Sequence, residues 1–207
     1  MLKAAPPNSV KRYSRKGLTM AKANRRGELV CAAARLFREK GYAATTTRDI
    51  ADAVGMQSGS AFYHFASKQE LLAAVMEEGL TGGLARTSEV MARPLPIVDK
   101  FRAMVRTHLG ILLEAGNDFI PVMLHDWGRL EPVYKERLIA TKDGYDAHWH
   151  DLIAELVRAG LLAGDAKTAR LSILGALNFT ATWFKVDGGV SIDTLARRMA
   201  GFFLRET

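Results

Sequence analysis

One cysteine, Cys31, is the whole thiol complement of this 207-residue chain, so an internal disulfide is impossible and a reducing, cytoplasmic setting suits it. Cys31 lies on an apolar helical stretch and is expected to be packed rather than reactive. No run approaches the roughly 18–20 uninterrupted apolar residues of a membrane span, so no membrane partner is expected. The first twenty residues are basic but hold no apolar stretch of secretory length. Also missing are H-E-x-x-H, G-x-S-x-G and a phosphate loop, and the paired carboxylates have no defining context. Neither an enzyme nor a cofactor is expected. Strand-like alternation is absent as well, and the fold class read from the chain is all-α.

Acid is lacking from residues 1–26, where Lys3, Lys11, Arg12, Arg15, Lys16, Lys22, Arg25 and Arg26 hold +8. The remainder sums to −1, so the net +7 sits wholly at one end. With Pro6, Pro7 and Gly17, residues 1–22 read as a flexible basic arm of the kind that tracks phosphates, or else as a solubilising leader.

What is present is helical. From Arg25 the residues Leu29, Val30, Ala33, Ala34 and Phe37 recur at 3–4 spacing up to Gly41. In "TTTRDIADAVG", Thr46 and Asp49 make a capping box, with Ile50, Ala51 and Val54 on the buried face. A tight turn leads to a short helix over about Ser58–Tyr63, and Ser67 with Glu70 opens a longer one. Two short helices across a Gly-containing turn are a helix-turn-helix, here at 46–65 within a domain spanning 23–84. Ala61, Phe62 and Phe65 are its inward anchors. Gln57, Ser58, Gly59, Ser60, Tyr63 and His64 are left to face DNA, with small residues that allow close approach and polar groups suited to bases and phosphates.

Residues 85–207 form a second, larger helical domain. "ARPLP" is a breaker, after which Phe101, Met104, Val105, His108, Leu109 and Leu112 make one amphipathic stripe. The apolar segment "DFIPVMLHDW" precedes a long helix over about Val133–Ala159. The helix after Asp165 is apolar on more than one side and must be covered on more than one side. Met104, Met123, Trp127, Tyr145, Trp149, Phe179 and Trp183 are individually core residues, yet together numerous enough to line a cavity. His108 and Asn178 are polar groups on apolar helix faces that need partners. "HWH" at 148–150 resembles a metal site, but residues two apart on a helix diverge, so no metal is expected.

Residues 41–72, "GYAATTTRDIADAVGMQSGSAFYHFASKQELL", closely resemble the signature of TetR-family transcriptional regulators: Gly-aromatic, Thr-Thr, Ile-Ala, Gly, aromatic-x-His-Phe and Ser-Lys at these intervals. Phe62 stands where tyrosine is usual, and Ala61 replaces a larger aliphatic. The resemblance implies a homodimer that binds a palindromic double-stranded operator and dimerises through its last two long helices around a small-molecule pocket. It implies that Thr46, Thr47 and Arg48 touch phosphates or nearby bases, and that Tyr63, His64 and Lys68 clamp the backbone. "HDWGRLEPVYKERLIATKDGYDAHW" and "GALNFTATWF" are similar to regulators of fatty-acid and steroid breakdown that respond to acyl-CoA thioesters. The expectation is a repressor released by a small apolar effector, with an acyl-CoA as the first guess. A ligand-free dimeric regulator and a drug-responsive efflux repressor are the alternatives.

Overall fold

Glycines and capping side chains divide the chain into helices. The computed structural model describes residues 15–61, 63–114 and 116–205, with side chains from residue 25 onward except those of Ser58 and Ala61. Phosphate contact by residues 1–14, the side chain of Ser58, and the anchoring roles of Ala61 and Phe62 lie outside the described residues. Helix α1 (Arg15–Lys40) begins inside the segment expected to be an arm and ends at Gly41, whose φ of +83° suits a helix-terminating glycine.

Thr45 then turns back: its buried hydroxyl donates to the carbonyls of Leu36 and Gly41. Helix α2 (Thr47–Ala53) carries the expected capping box, with Thr46 and Asp49 bonded reciprocally. Gly55, at φ +65°, makes the turn to α3 (Ser58–Ala61). Tyr63, expected within this helix, and His64 stand instead in a turn. Ser67 caps α4 (Lys68–Ala92), and Glu70 reaches back to the Ala66 N–H at 2.7 Å.

The second domain contains α5 (Ile97–Leu113), α6 (Phe119–Asp126), α7 (Pro132–Arg158), α8 (Ala166–Trp183) and α9 (Ile192–Phe203). The segment "DFIPVMLHDW" is thus a helix of its own, with Pro121 in the first turn, where a missing N–H costs least. No described helix is long and apolar enough to cross a membrane.

Two apolar clusters form. The first joins Leu29, Ala33 and Phe37 of α1 to Ile50, Phe65, Leu72 and Met76, and also takes in Val122, Leu130 and Leu138 from beyond residue 84. The second packs Phe101, Met104, Val105, Leu109 and Leu112 of α5 against Trp149, Leu152 and Leu156 of α7, with Ile173, Leu177, Leu195 and Ala200 closing it. α4 spans both, from Leu72 at one end to Val90 at the other. Cys31 corrects the expected packing: it lies on the exposed side of α1. Partial desolvation, with Glu78 and Asp118 nearby, raises its pKa and keeps the thiol protonated.

α4 and α6 meet with almost no space between them. A methyl group built on Gly79 would sit 2.8 Å from Cβ of Phe119, whereas one on Gly82 meets nothing. Gly79→Ala should therefore cost about 1–3 kcal/mol by overpacking. Gly82→Ala should be neutral or gain up to about 1 kcal/mol from helix propensity. Denaturant titration of the two variants checks this; equal stabilities would mean that the helices are not in such close contact.

Candidate DNA-reading surface and effector cavity

The reading head sorts its three threonines by position. Thr45 is buried and tied to α1, Thr46 is the cap of α2, and Thr47 is half-buried in the first turn beside the exposed Arg48. Because Thr46 Oγ1 donates to Asp49 at 2.7 Å and accepts from its N–H, its hydroxyl is committed to the cap. The bonds that its carboxylate accepts from the Thr46 hydroxyl, foremost, and from the Thr46 N–H hold Asp49 below its ordinary pKa.

Around α3 the head presents Gln57 and Gly59 exposed and Ser60 half-buried; a methyl group on Gly59 would meet nothing, which leaves room for a duplex backbone. Tyr63 is 91% exposed, an unusual place for a ring with no contact to make. His64 beside it is half-buried. Lys68 differs from the simple expectation of a projecting cation. Its ammonium lies 4.2 Å above the Tyr42 ring, and desolvation there lowers its pKa. Two arginines counted with the arm are also engaged within the head. Arg26 stacks over Phe65 at 4.8 Å, and Arg25 pairs with Glu28.

In the second domain a partly open cavity of about 170 Å³ lies between α4, α5, α6, α7 and α8. Four of the expected residues line it: His108, Met123, Tyr145 and Asn178. Four do not. Met104 and Trp149 are fully buried in the apolar core, Trp127 packs against the head's cluster, and Phe179 is 64% exposed on the outer side of α8. Met104 and His108 lie four apart on one face of α5, so depth along that face, not its direction, puts Met104 in the core and His108 at the cavity. Sequence reading missed Gly79 and Gly83, whose lack of side chains leaves α4 as a thin wall, and also Ile111, Ile120 and Leu174. Spacing of four between two glycines on one helix was the available signal.

The polar groups of this wall are connected. His108 Nδ1 is 2.6 Å from the Tyr145 hydroxyl, and Nε2 is 2.9 Å from Asn178 Oδ1. Burial pushes His108 down to about 4, against the opposing Asn178 bond, and pushes Tyr145 up. At neutral pH the imidazole is therefore uncharged. "HWH" divides as expected of a helix: His148 bonds Thr87 at 3.0 Å, Trp149 is core, and His150 is exposed. No cluster of metal-ligating side chains occurs among the described residues.

A larger, more open cleft of about 500 Å³ lies where the head meets the second domain, between Phe37, Arg38 and Tyr42 on one side and Leu112, Val122 and Phe184 on the other. The smaller cavity, with few convergent polar groups in an apolar wall, has the character of a small-molecule site. The open cleft is the seam between the head and the second domain. α6 separates them: Ile120 and Met123 face the cavity, and Pro121, Val122 and His125 face the seam. Asp118, at the start of α6, forms no cap bond because its carboxylate pairs with Arg38 of α1 at 2.7 Å.

Comparison with known proteins places both halves. Residues 29–75 match the model of bacterial regulatory proteins of the tetR family, and residues 94–207 match a tetracyclin repressor-like C-terminal domain. The HTH-type transcriptional repressor KstR2 of Rhodococcus jostii (strain RHA1) is 28% identical over 192 residues, which are 90% of this chain and 92% of that one. The structure of AibR in complex with isovaleryl coenzyme A and operator DNA superimposes with a TM-score of 0.80 at 25% identity, covering 86% of this chain and 97% of that one. PfmR of Thermus thermophilus, a TetR family regulator, gives 0.76 at 28% identity, with the same coverage.

The depressed His108 pKa has a stability consequence. Between pH 6.5 and about 4 the unfolded chain binds a proton that the native imidazole refuses, so this contribution to stability is lost as pH falls through that window. Its size is about 3 kcal/mol. Unfolding free energies of the native protein and His108→Gln, measured from pH 7 to 4, should converge by that order. A constant difference would show that His108 carries no such penalty.

Proposed function

The chain belongs to the TetR family of bacterial regulatory proteins, and from that premise we propose that it is a homodimeric repressor, released from a palindromic operator by a small apolar effector, with an acyl-CoA thioester as the first candidate. One observation carries the reading: α6 is at once the wall of a largely apolar cavity and, through Val122, part of the core of the DNA-reading head. A compound that presses on Ile120 and Met123 shifts α6, and a shifted α6 carries the head with it. KstR2 is named a repressor, and AibR was solved with both a coenzyme A thioester and operator DNA. These support the sign of regulation and the effector class.

At the DNA end, Tyr63, His64 and Lys68 act on phosphates, while Gln57, Ser58 and Ser60 meet base edges. Phosphate contacts position the head and base contacts specify the site. The dimer face is the outer side of α8. Leu171, Phe179 and Trp183 share one side of that helix and are 56%, 64% and 51% exposed. That side of α8 was expected to be covered, and a second copy of the chain would cover it. A two-fold dimer presents two heads in inverted orientation, hence a palindromic site.

Release requires differential affinity: the effector must bind better to the form whose heads miss successive major grooves. A coupling of about 1–3 kcal/mol weakens operator binding some 5- to 150-fold. The test is operator affinity with and without a panel of acyl-CoAs, free fatty acids and hydrophobic drugs, alongside the oligomeric state of Phe179→Glu. Loss of operator binding with an acyl-CoA, and a monomeric variant that no longer protects both half-sites, is the expected result. Release by drugs alone would move the function to efflux control. No response to any compound would favour a ligand-free regulator.

A further inference from the structure

We infer that the cavity selects a compound whose apolar part is about the size of a six-membered ring and which presents a carbonyl oxygen, and that the side-chain amide of Asn178 is the donor that reads it. This rests on the effector-responsive reading given above.

The direction of the buried hydrogen bonds carries the inference. Asn178 Oδ1 can only accept, so His108 Nε2–H donates to it at 2.9 Å. A neutral imidazole that donates at Nε2 accepts at Nδ1, so the Tyr145 proton goes to Nδ1 at 2.6 Å.

With Oδ1 taken, the Asn178 NH₂ group remains. It makes no hydrogen bond among the described residues, and Asn178 lines the cavity. The charged side chains of the lining, Lys142 and Asp146, are paired with each other at 2.7 Å. An amide donor set in an apolar wall discriminates for a ligand that supplies an acceptor. His108 and Tyr145 are positioning residues: they fix which end of the amide faces the ligand.

Volume sets the size. A dry cavity of about 150 Å³ holds a benzene ring, and this one measures about 170 Å³. Acyl groups of about four to six carbons, or one small ring, fill such a space. A long acyl chain or a fused tetracycle would not be held whole within that volume.

Calorimetry and operator release with four probes test this: butyryl-CoA, its S-butyl thioether analogue lacking the carbonyl, palmitoyl-CoA, and cyclohexanone as a probe without a coenzyme. Butyryl-CoA should bind at least about tenfold more tightly than the thioether. Asn178→Asp keeps the acceptor for His108 and removes the donor, so it should abolish that preference. Equal binding of thioester and thioether by the native protein would overturn the inference whether or not the variant folds. Release of operator by palmitoyl-CoA, with butyryl-CoA and cyclohexanone inert, would overturn it while leaving the effector-responsive reading intact. If none of the four bound, the acyl-CoA assignment would fall together with it.

Discussion

Val122 of α6 is buried to 2% exposure in the same apolar cluster as Leu29, Phe37, Ile50 and Leu72, and the rest of the arrangement depends on that shared burial. The head supplies only three helices and part of α4, too little surface to enclose a core unaided. It completes the core with Val122, Leu130 and Leu138 from the second domain. Polar contacts follow the same seam: Arg38 with Asp118, Arg137 with Glu77, and Gln69 bonded to the backbone of Arg129 and Glu131. These exposed pairs contribute little each. Burial sets the join, and the polar contacts fix its register.

A join of that kind transmits motion because packed cores admit discrete arrangements rather than gradual deformation. α6 is short, eight residues, and is pressed against Gly79 so closely that no side chain fits between. It has no room to yield toward α4. In the proposed mechanism a cavity occupant would displace it instead toward the seam, where about 500 Å³ of open space lies beside Arg38 and Tyr42. The cavity, α6 and the seam adjoin one another, and the seam reaches the loop that Thr45 ties to α1.

Local chemistry made much of this legible beforehand. The Thr46–Asp49 box, the glycine stops at 41 and 55, and the stripe from Phe101 to Leu112 are short-range signals, and each sits where its residues place it. The signature over 41–72 located the reading head for the same reason. Long-range facts were less readable. Trp149 and Met104 share helix faces with the cavity residues Tyr145 and His108, and how far along a face the cavity reaches is not written in one segment. Phe179 faces outward although apolar, because the surface that would cover it belongs to no other part of the described chain. Cys31 was misjudged on the same ground. The head's dependence on Val122 had no sequence signal, since an eight-residue apolar segment looks alike whether it serves one core or two.

The central claim is that the cavity speaks to the reading head through α6. Amide hydrogen exchange, with and without the compound that releases the operator, tests it most directly. The account predicts altered protection in residues 119–126 together with residues 36–47, the α1 end and loop that pack against α6 and the seam. Altered protection confined to α5, α7 and α8, with residues 36–47 unchanged while the operator is released, would contradict it.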